Sequence, residues 1–317
     1  MKRLVIIVLP TLALVLAITL AVNWLYIHKR PEREVDKFKD VPYGIEVCNL
    51  GSSHGKYGFD YSYINKTTFN FALGSQMPTY DLRVLKSYID HLSEEAVVFI
   101  PVSYFSLFGL SEEDRSEFDS KNKRYYEFLP YENIKKADKV TKLFVAYLPA
   151  LTANEELFTV LFGKDAKEDT LKENSIDKDN AVSSVYSRYK AHIVSDKFDE
   201  NGIRIINNQE VCAIYEIIDL CRNNRAIPVL ITTPFLEEYV NEIKTNDPDF
   251  FNDFYREIDD IVKRTGVIYC DYSMDERFSR NYDLFFDVDH LNRNGARLFT
   301  RIVLDDLESK LNNSSTA

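Results

Sequence analysis

The stretch Ala96–Val102 reads Ala-Val-Val-Phe-Ile-Pro-Val, apolar at every position. A strand that alternates apolar and polar residues can face water on one side. A strand apolar throughout must be covered on both sides, as in a parallel sheet flanked by helices. Related strand-like runs occur at Tyr43–Leu50, Thr67–Leu73, Ala226–Thr232 and Gly266–Asp271. Helical stripes lie among them: Leu82, Leu85, Ile89 and Leu92 within Tyr80–Leu92, then Val211, Ile214, Tyr215, Ile218 and Cys221. Phe251–Arg264 and Leu298–Leu311 follow, the latter with Phe299, Ile302, Val303 and Leu307 on one face. Strand and helix in this alternation predict an α/β domain, three layers α/β/α around a mainly parallel sheet. In open sheets of this kind ligands bind beyond the carboxyl ends of the strands. Gly51-Ser52-Ser53, Gly74, Ser103 and Thr232-Thr233 all follow predicted strands and are expected along one edge.

Ahead of this domain, Leu4 to Ile27 carries no charged residue and is long enough to cross a bilayer core of about 30 Å. Met1-Lys2-Arg3 precedes it, His28-Lys29-Arg30 follows, and Trp24 and Tyr26 sit near its end, where aromatic belts occur. A cleaved signal peptide has a shorter core and a small-x-small site, and Ala21-Val22-Asn23 is a poor one. The segment is therefore read as a retained anchor over residues 4–27, with a charged tether over 28–42 and the α/β domain over 43–317. The basic flanks are nearly balanced, so charge alone does not orient the helix. A short N-terminus leading a large domain outward is the simpler arrangement, a single-pass protein of the cell membrane with its domain on the extracytoplasmic side. The residues after 33 hold 34 basic against 49 acidic side chains, a balance that argues against binding nucleic acid through its phosphates.

Residues 103–205 break the alternation and are read as an insert of helices and loops, rich in aromatic and charged residues, with Lys164–Asn180 as a charged loop. Two roles stay open for its rings: packing the insert onto the sheet, or stacking on a substrate. Cys48, Cys212, Cys221 and Cys270 form no Cys-x-x-Cys pair and read as small buried hydrophobes rather than a disulfide framework. Asp287, Asp289 and His290 could form part of a metal site, but metal-ligand spacing is absent, and neither a metal nor a cofactor is expected.

The chemistry-bearing candidates are a serine corner and a late histidine. A serine hydroxyl becomes a competent nucleophile when an oriented base takes its proton. The chain has five histidines. His28 flanks the anchor, His91 ends an amphipathic helix, His192 lies in the insert with no patterned partner, and His54 adjoins the serine too closely to serve as its base. His290 lies just before the last helix, and Asp287, three residues earlier, can accept its other ring N–H. Asp289 and Asp283 are alternative orienters. At the corner, Gly51 permits a tight turn. Ser53 begins the next segment, where backbone N–H groups favour an oxyanion, and Ser52 is the competing nucleophile. Gly74 could lend a second N–H.

On these residues the chain resembles the SGNH (GDSL-like) hydrolase superfamily. Gly51-Ser52-Ser53 is similar to its first block, with serine in place of aspartate, and Asp287-Val288-Asp289-His290 is similar to its last. The resemblance implies Ser53 as nucleophile, His290 as base, Asp287 as orienter, and an oxyanion hole from Ser53 and Gly74. The family's Gly-x-Asn-Asp block is not visible, since Ser103-Tyr104-Phe105 follows the third strand. Within the superfamily the chain is most similar to membrane-anchored, exported members of the DltD-like and alginate O-acetylation kind, which also share the phrase Ile227–Pro234. That likeness covers roughly residues 43–101 and 205–311. It implies a serine esterase or O-acyltransferase acting through an acyl-enzyme on an acylated cell-envelope glycan or a small ester, beside a membrane-bound O-acyltransferase partner. The other reading is a non-catalytic envelope module that binds a glycan or scaffolds such a partner.

Overall fold

The computed structural model describes residues 2–110, 121–153, 155–163 and 171–314. Its helices are α1 (Lys2–Lys29), α2 (Ser53–Gly58), α3 (Pro78–Tyr88), α4 (Lys139–Tyr147), α5 (Glu155–Phe162), α6 (Lys178–Tyr189), α7 (Asn208–Asn223), α8 (Glu237–Asn246), α9 (Phe250–Thr265) and α10 (Arg293–Ser314). Its strands are β1 (Ile45–Asn49), β2 (Thr68–Asn70), β3 (Leu92–Pro101), β4 (Ile227–Thr232) and β5 (Ile268–Asp271). The chain divides into two compact units, Met1–Asp40 with Glu117–Thr170, and Val41–Ser116 with Leu171–Ala317.

The second unit contains the sheet. Its strands run in the order β2-β1-β3-β4-β5, and every neighbouring pair is parallel. Helices cover both faces, so the α/β architecture expected from the alternation is the one observed. β3 begins earlier than its apolar run, at Leu92. Glu94 and Glu95 are exposed, and only Val98–Pro101 is continuously buried. The buried stretch is where neighbours flank the strand on both sides, which explains the unbroken apolar sequence there. β1 pairs with β2 on one side and β3 on the other, so the order of strand addition reverses at its end. A crevice opens at such a point.

Local chemistry sets the helix ends. α9 stops at Gly266, whose φ of +64° is the left-handed conformation glycine adopts without strain. α3 starts on Pro78, and the buried Glu210 of α7 accepts from the Thr79 N–H at 2.8 Å and its hydroxyl at 3.1 Å. That carboxylate ties α3 to α7 and satisfies a donor the first turn leaves open. α8 lies between β4 and α9, where the sequence shows no clear helical stripe, and buries Tyr239, Val240 and Ile243.

Residues 171–205 of the expected insert belong to the sheet unit. The expected loop Lys164–Asn180 falls partly outside the described residues, at 164–170. Its end opens α6, because Asp177 caps the helix by accepting from the Asn180 N–H at 2.8 Å. A wide turn, Lys190–Val194, follows α6 and carries His192.

The first unit is formed around the end of α1. Tyr26 is buried with Ala150 and Val160. Residues 31–40, expected as part of a tether, are held within this unit. Arg30 pairs with Asp36 at 3.2 Å, Arg33 with Glu127, and Arg124 with Glu34 at 3.0 Å. Phe38 is buried and stacks on Phe128 with ring centroids 3.8 Å apart.

Candidate active site

The corner after β1 is built by close backbone packing. Gly51 has a φ of +111°, and a Cβ there would lie 3.0 Å from Pro101 Cγ. Its N–H donates to Asp81 Oδ1 at 2.7 Å, an oxygen that also accepts from Gln76 Nε2 at 2.7 Å. Gly55 is tighter still, since a Cβ would fall 2.3 Å from the Leu50 carbonyl oxygen. Asn49 Nδ2 donates to the carbonyls of Leu50 and Gly55 at 3.0 and 3.1 Å. The turn therefore has one shape, and it presents two serines differently. Ser52 is buried, and its hydroxyl caps α2 by accepting from the His54 N–H. Ser53 is half-buried and stands at the first position of α2. Its N–H has no acceptor among the described residues, as is usual in a first helical turn.

The Ser53 hydroxyl meets His290. Oγ lies 2.8 Å from Nε2, while Nδ1 lies 2.9 Å from Asp287 Oδ2 and 3.0 Å from Oδ1. An ionised carboxylate only accepts, so Nδ1 carries the hydrogen and Nε2 is left to accept from the serine. Asp287 is held in turn: its Oδ1 accepts from the backbone N–H groups of Asp289 and His290 at 3.1 and 2.9 Å. Arg188 Nη2 donates to Asp287 Oδ2 at 2.8 Å. Phe286 stacks on the His290 ring at 5.4 Å, and Tyr57 meets it edge-on at 5.5 Å. Burial disfavours the charged imidazole, but Asp289 and the Asp287 hydrogen bond outweigh it, and the net direction for His290 is upward.

Beneath this contact is a second polar layer that sequence reading missed. Asp289 is buried, with His54 Nε2 at 2.9 Å from Oδ2 and Arg188 Nε at 2.9 Å from Oδ1. The other nitrogen of His54 lies 2.6 Å from Ser103 Oγ. With Nε2–H donating to the carboxylate, Nδ1 accepts from the Ser103 hydroxyl. Burial lowers His54, more than Asp289 raises it, so the ring is neutral near pH 7. His192, which has no patterned partner in the sequence, stands 3.3 Å from Asp289 Oδ2 and 3.2 Å from the Tyr239 hydroxyl. Asp289 itself is drawn well below the ordinary carboxylate range. Burial pushes it up, and His290 together with the His54 hydrogen bond pulls it down further.

Among the expected site residues, the structure brings Ser53, His290 and Asp287 into direct contact. His54 meets Ser103 and Asp289 instead. Asp289, an alternative orienter, comes within 3.5 Å of His290 Nδ1 but chiefly binds Arg188 and His54. Asp283 is exposed, and its carbonyl accepts from Asn292. Gly74 lies in the turn after β2; its neighbour Leu73 donates to the Gly51 carbonyl at 3.2 Å, which holds that turn against the corner. His54, Asp289 and His290 present ligand atoms within 4.8 Å of one another. The charge of Asp289 is already met by Arg188, and a cation there would face the guanidinium. That donor set suits a salt-bridged network better than a metal ion.

No family model matches the chain. No curated protein matches it either. Among solved structures, a chain from Bacteroides fragilis NCTC 9343 described as a "putative acylhydrolase" is similar at 11% identity, over 88% of this chain and 96% of that one, with a TM-score of 0.41. A likeness that loose assigns neither a fold nor an activity.

Proposed function

We propose that this chain is a serine esterase or O-acyltransferase of the SGNH kind, anchored by α1 at the extracytoplasmic face of a cell membrane. The observation that carries the reading is the 2.8 Å contact of Ser53 Oγ with His290 Nε2, the opposite nitrogen being held by Asp287. In this reading Ser53 attacks an ester carbonyl as His290 takes the hydroxyl proton. The Ser53 N–H, at the first turn of α2, faces the developing oxyanion; Gly74 as a second donor rests on the family resemblance alone. Collapse of the tetrahedral intermediate expels the alcohol, which takes the proton back from His290, and leaves an acyl group on Ser53. Water then completes hydrolysis, or a sugar hydroxyl completes transfer. Arg188 holds Asp287 and so steadies the base. The helix Val8–Lys29, long and apolar enough to cross a membrane, supports the anchoring. The acylated envelope glycan and the membrane-bound O-acyltransferase partner rest on the family resemblance alone.

The test is labelling of the purified full chain by a fluorophosphonate probe, with p-nitrophenyl acetate turnover alongside. Ser53→Ala and His290→Ala are each expected to abolish labelling and to reduce turnover by at least ~10³-fold. Equal labelling of Ser53→Ala and the parent removes Ser53 as the nucleophile and favours the non-catalytic module. Release of p-nitrophenol that accelerates when an oligosaccharide is added, with acetate recovered on the sugar, distinguishes transfer from hydrolysis.

A further inference from the structure

α1 makes its described contacts within the first unit at its last turns. Val22 and Tyr26 pack with Ala150, Ala153, Leu157 and Val160. Asn23 is a polar residue in an apolar helix, and both of its amide groups are satisfied there: Nδ2 donates to the Tyr147 carbonyl at 3.1 Å, and Oδ1 accepts from the Ala150 N–H at 3.1 Å. Lys29 donates to the Leu161 carbonyl at 3.3 Å. The elements that receive these contacts are consecutive in the chain, α4, the Pro149–Leu151 turn and α5, a helix–turn–helix segment called the hairpin below.

Much of that segment is also apolar and bare. Tyr147 is 73% exposed, Phe158 70% and Phe162 78%, and Leu143 and Leu151 are exposed beside them. Scattered exposed hydrophobes are ordinary, but aromatics concentrated on one short hairpin are not. We propose that this hairpin is a lipid-seated element, lying in the headgroup layer of the bilayer that α1 crosses. Depth supports it. A hydrocarbon core of about 30 Å takes about twenty helical residues, and about twenty residues counted from Leu4 end near Asn23, where the hairpin begins to touch α1. The hairpin therefore sits at the level where aromatic side chains collect, and amphipathic helices there bury one face ~5–10 Å deep. The helix this segment packs against is itself apolar and almost wholly unburied over Val8–Lys29, which favours lipid over a second copy or a protein partner. This inference is independent of the chemistry at Ser53.

The chain's single tryptophan, Trp24, makes the test direct. The full-length protein is reconstituted in phosphatidylcholine–phosphatidylglycerol vesicles containing lipids brominated at different acyl-chain depths, and indole fluorescence is read. Three further chains carry Trp24→Phe together with Phe158→Trp, Phe162→Trp or, as a control in the sheet unit, Tyr63→Trp. The expected result is loss of fluorescence in the parent and in the Phe158→Trp and Phe162→Trp chains, strongest for bromines nearest the headgroup, with the Tyr63→Trp chain unquenched. Quenching of the parent without quenching of the two hairpin chains overturns the proposal and assigns the face to a protein surface. An unquenched parent overturns it as well, since α1 then lies outside the bilayer.

Discussion

Replacing Asp289 by asparagine tests the buried layer beneath the candidate site. The carboxylate is 1% exposed and touches Arg188 through one oxygen and His54 through the other, each at 2.9 Å. At an effective dielectric of ~20, a unit pair at that distance is worth about 6 kcal/mol gross. Removing the charge also removes the cost of burying it, several kcal/mol. The amide adds a penalty of its own. Whichever way it is turned, its NH₂ faces either the His54 Nε2–H or the cationic Arg188 guanidinium, and a buried unpaired donor costs about 1–3 kcal/mol. Breaking one side of a buried pair costs about 3–5 kcal/mol in general. Arg188 keeps Asp287 at 2.8 Å, so Asp289→Asn belongs at the low end, about 3 kcal/mol. The assay is urea unfolding of the full chain in detergent micelles, followed by near-ultraviolet circular dichroism. Fluorophosphonate labelling of the folded protein should persist, because the Ser53–His290–Asp287 contacts are untouched. The pH dependence carries a sign. His290 is raised by folding, so its contribution is complete below its unfolded value near 6.5 and is lost as pH rises through the folded one. Asp289 causes much of that elevation, so the variant should lose less stability above pH 6.5 than the parent does. A variant within about 1 kcal/mol of the parent, with an unchanged pH slope, would refute the reasoning.

Three further outcomes follow from the same geometry. Because His290 must be neutral to act as a base and folding raises it, the acid limb of kcat/KM for p-nitrophenyl acetate should lie above pH 6.5; a limb below that value contradicts the assignment. Gly55→Ala places a methyl 2.3 Å from the Leu50 oxygen and 2.9 Å from Ala72 Cβ. It should cost about 3 kcal/mol, read as a lower thermal midpoint together with lost labelling at Ser53. Ser103→Ala leaves His54 Nδ1 as a buried acceptor without its 2.6 Å partner. About 1–3 kcal/mol of stability should go, with turnover changed less than ~10-fold, since Ser103 does not touch Ser53.

The fold class was legible in the chain because periodicity reports, residue by residue, whether a side chain meets water. Ala96–Val102 declares a strand covered on both faces, and Gly51 declares a turn, since an L side chain is strained at a φ of +111°. The Asp287–His290 spacing is likewise local, and three residues bring the carboxylate to the ring nitrogen. Ser53 could be paired with His290 only through the expectation that strand ends share an edge and through the family resemblance.

The layer around Asp289 has no such signature. Arg188 and His192 lie about a hundred residues before it, on a helix and a wide turn read as parts of an insert. The polar character of Arg188 is indistinguishable in sequence from that of a solvated helix face. His54 and Ser103 each looked like ordinary residues after a strand. What α1 and the aromatic hairpin share, two hydrogen bonds to Asn23 and a buried Tyr26, is equally invisible along the chain. Local pattern says which faces avoid water. Which distant faces and charges satisfy one another is decided only when the tertiary structure closes, because burying an isolated charge or amide is too costly until its partner arrives.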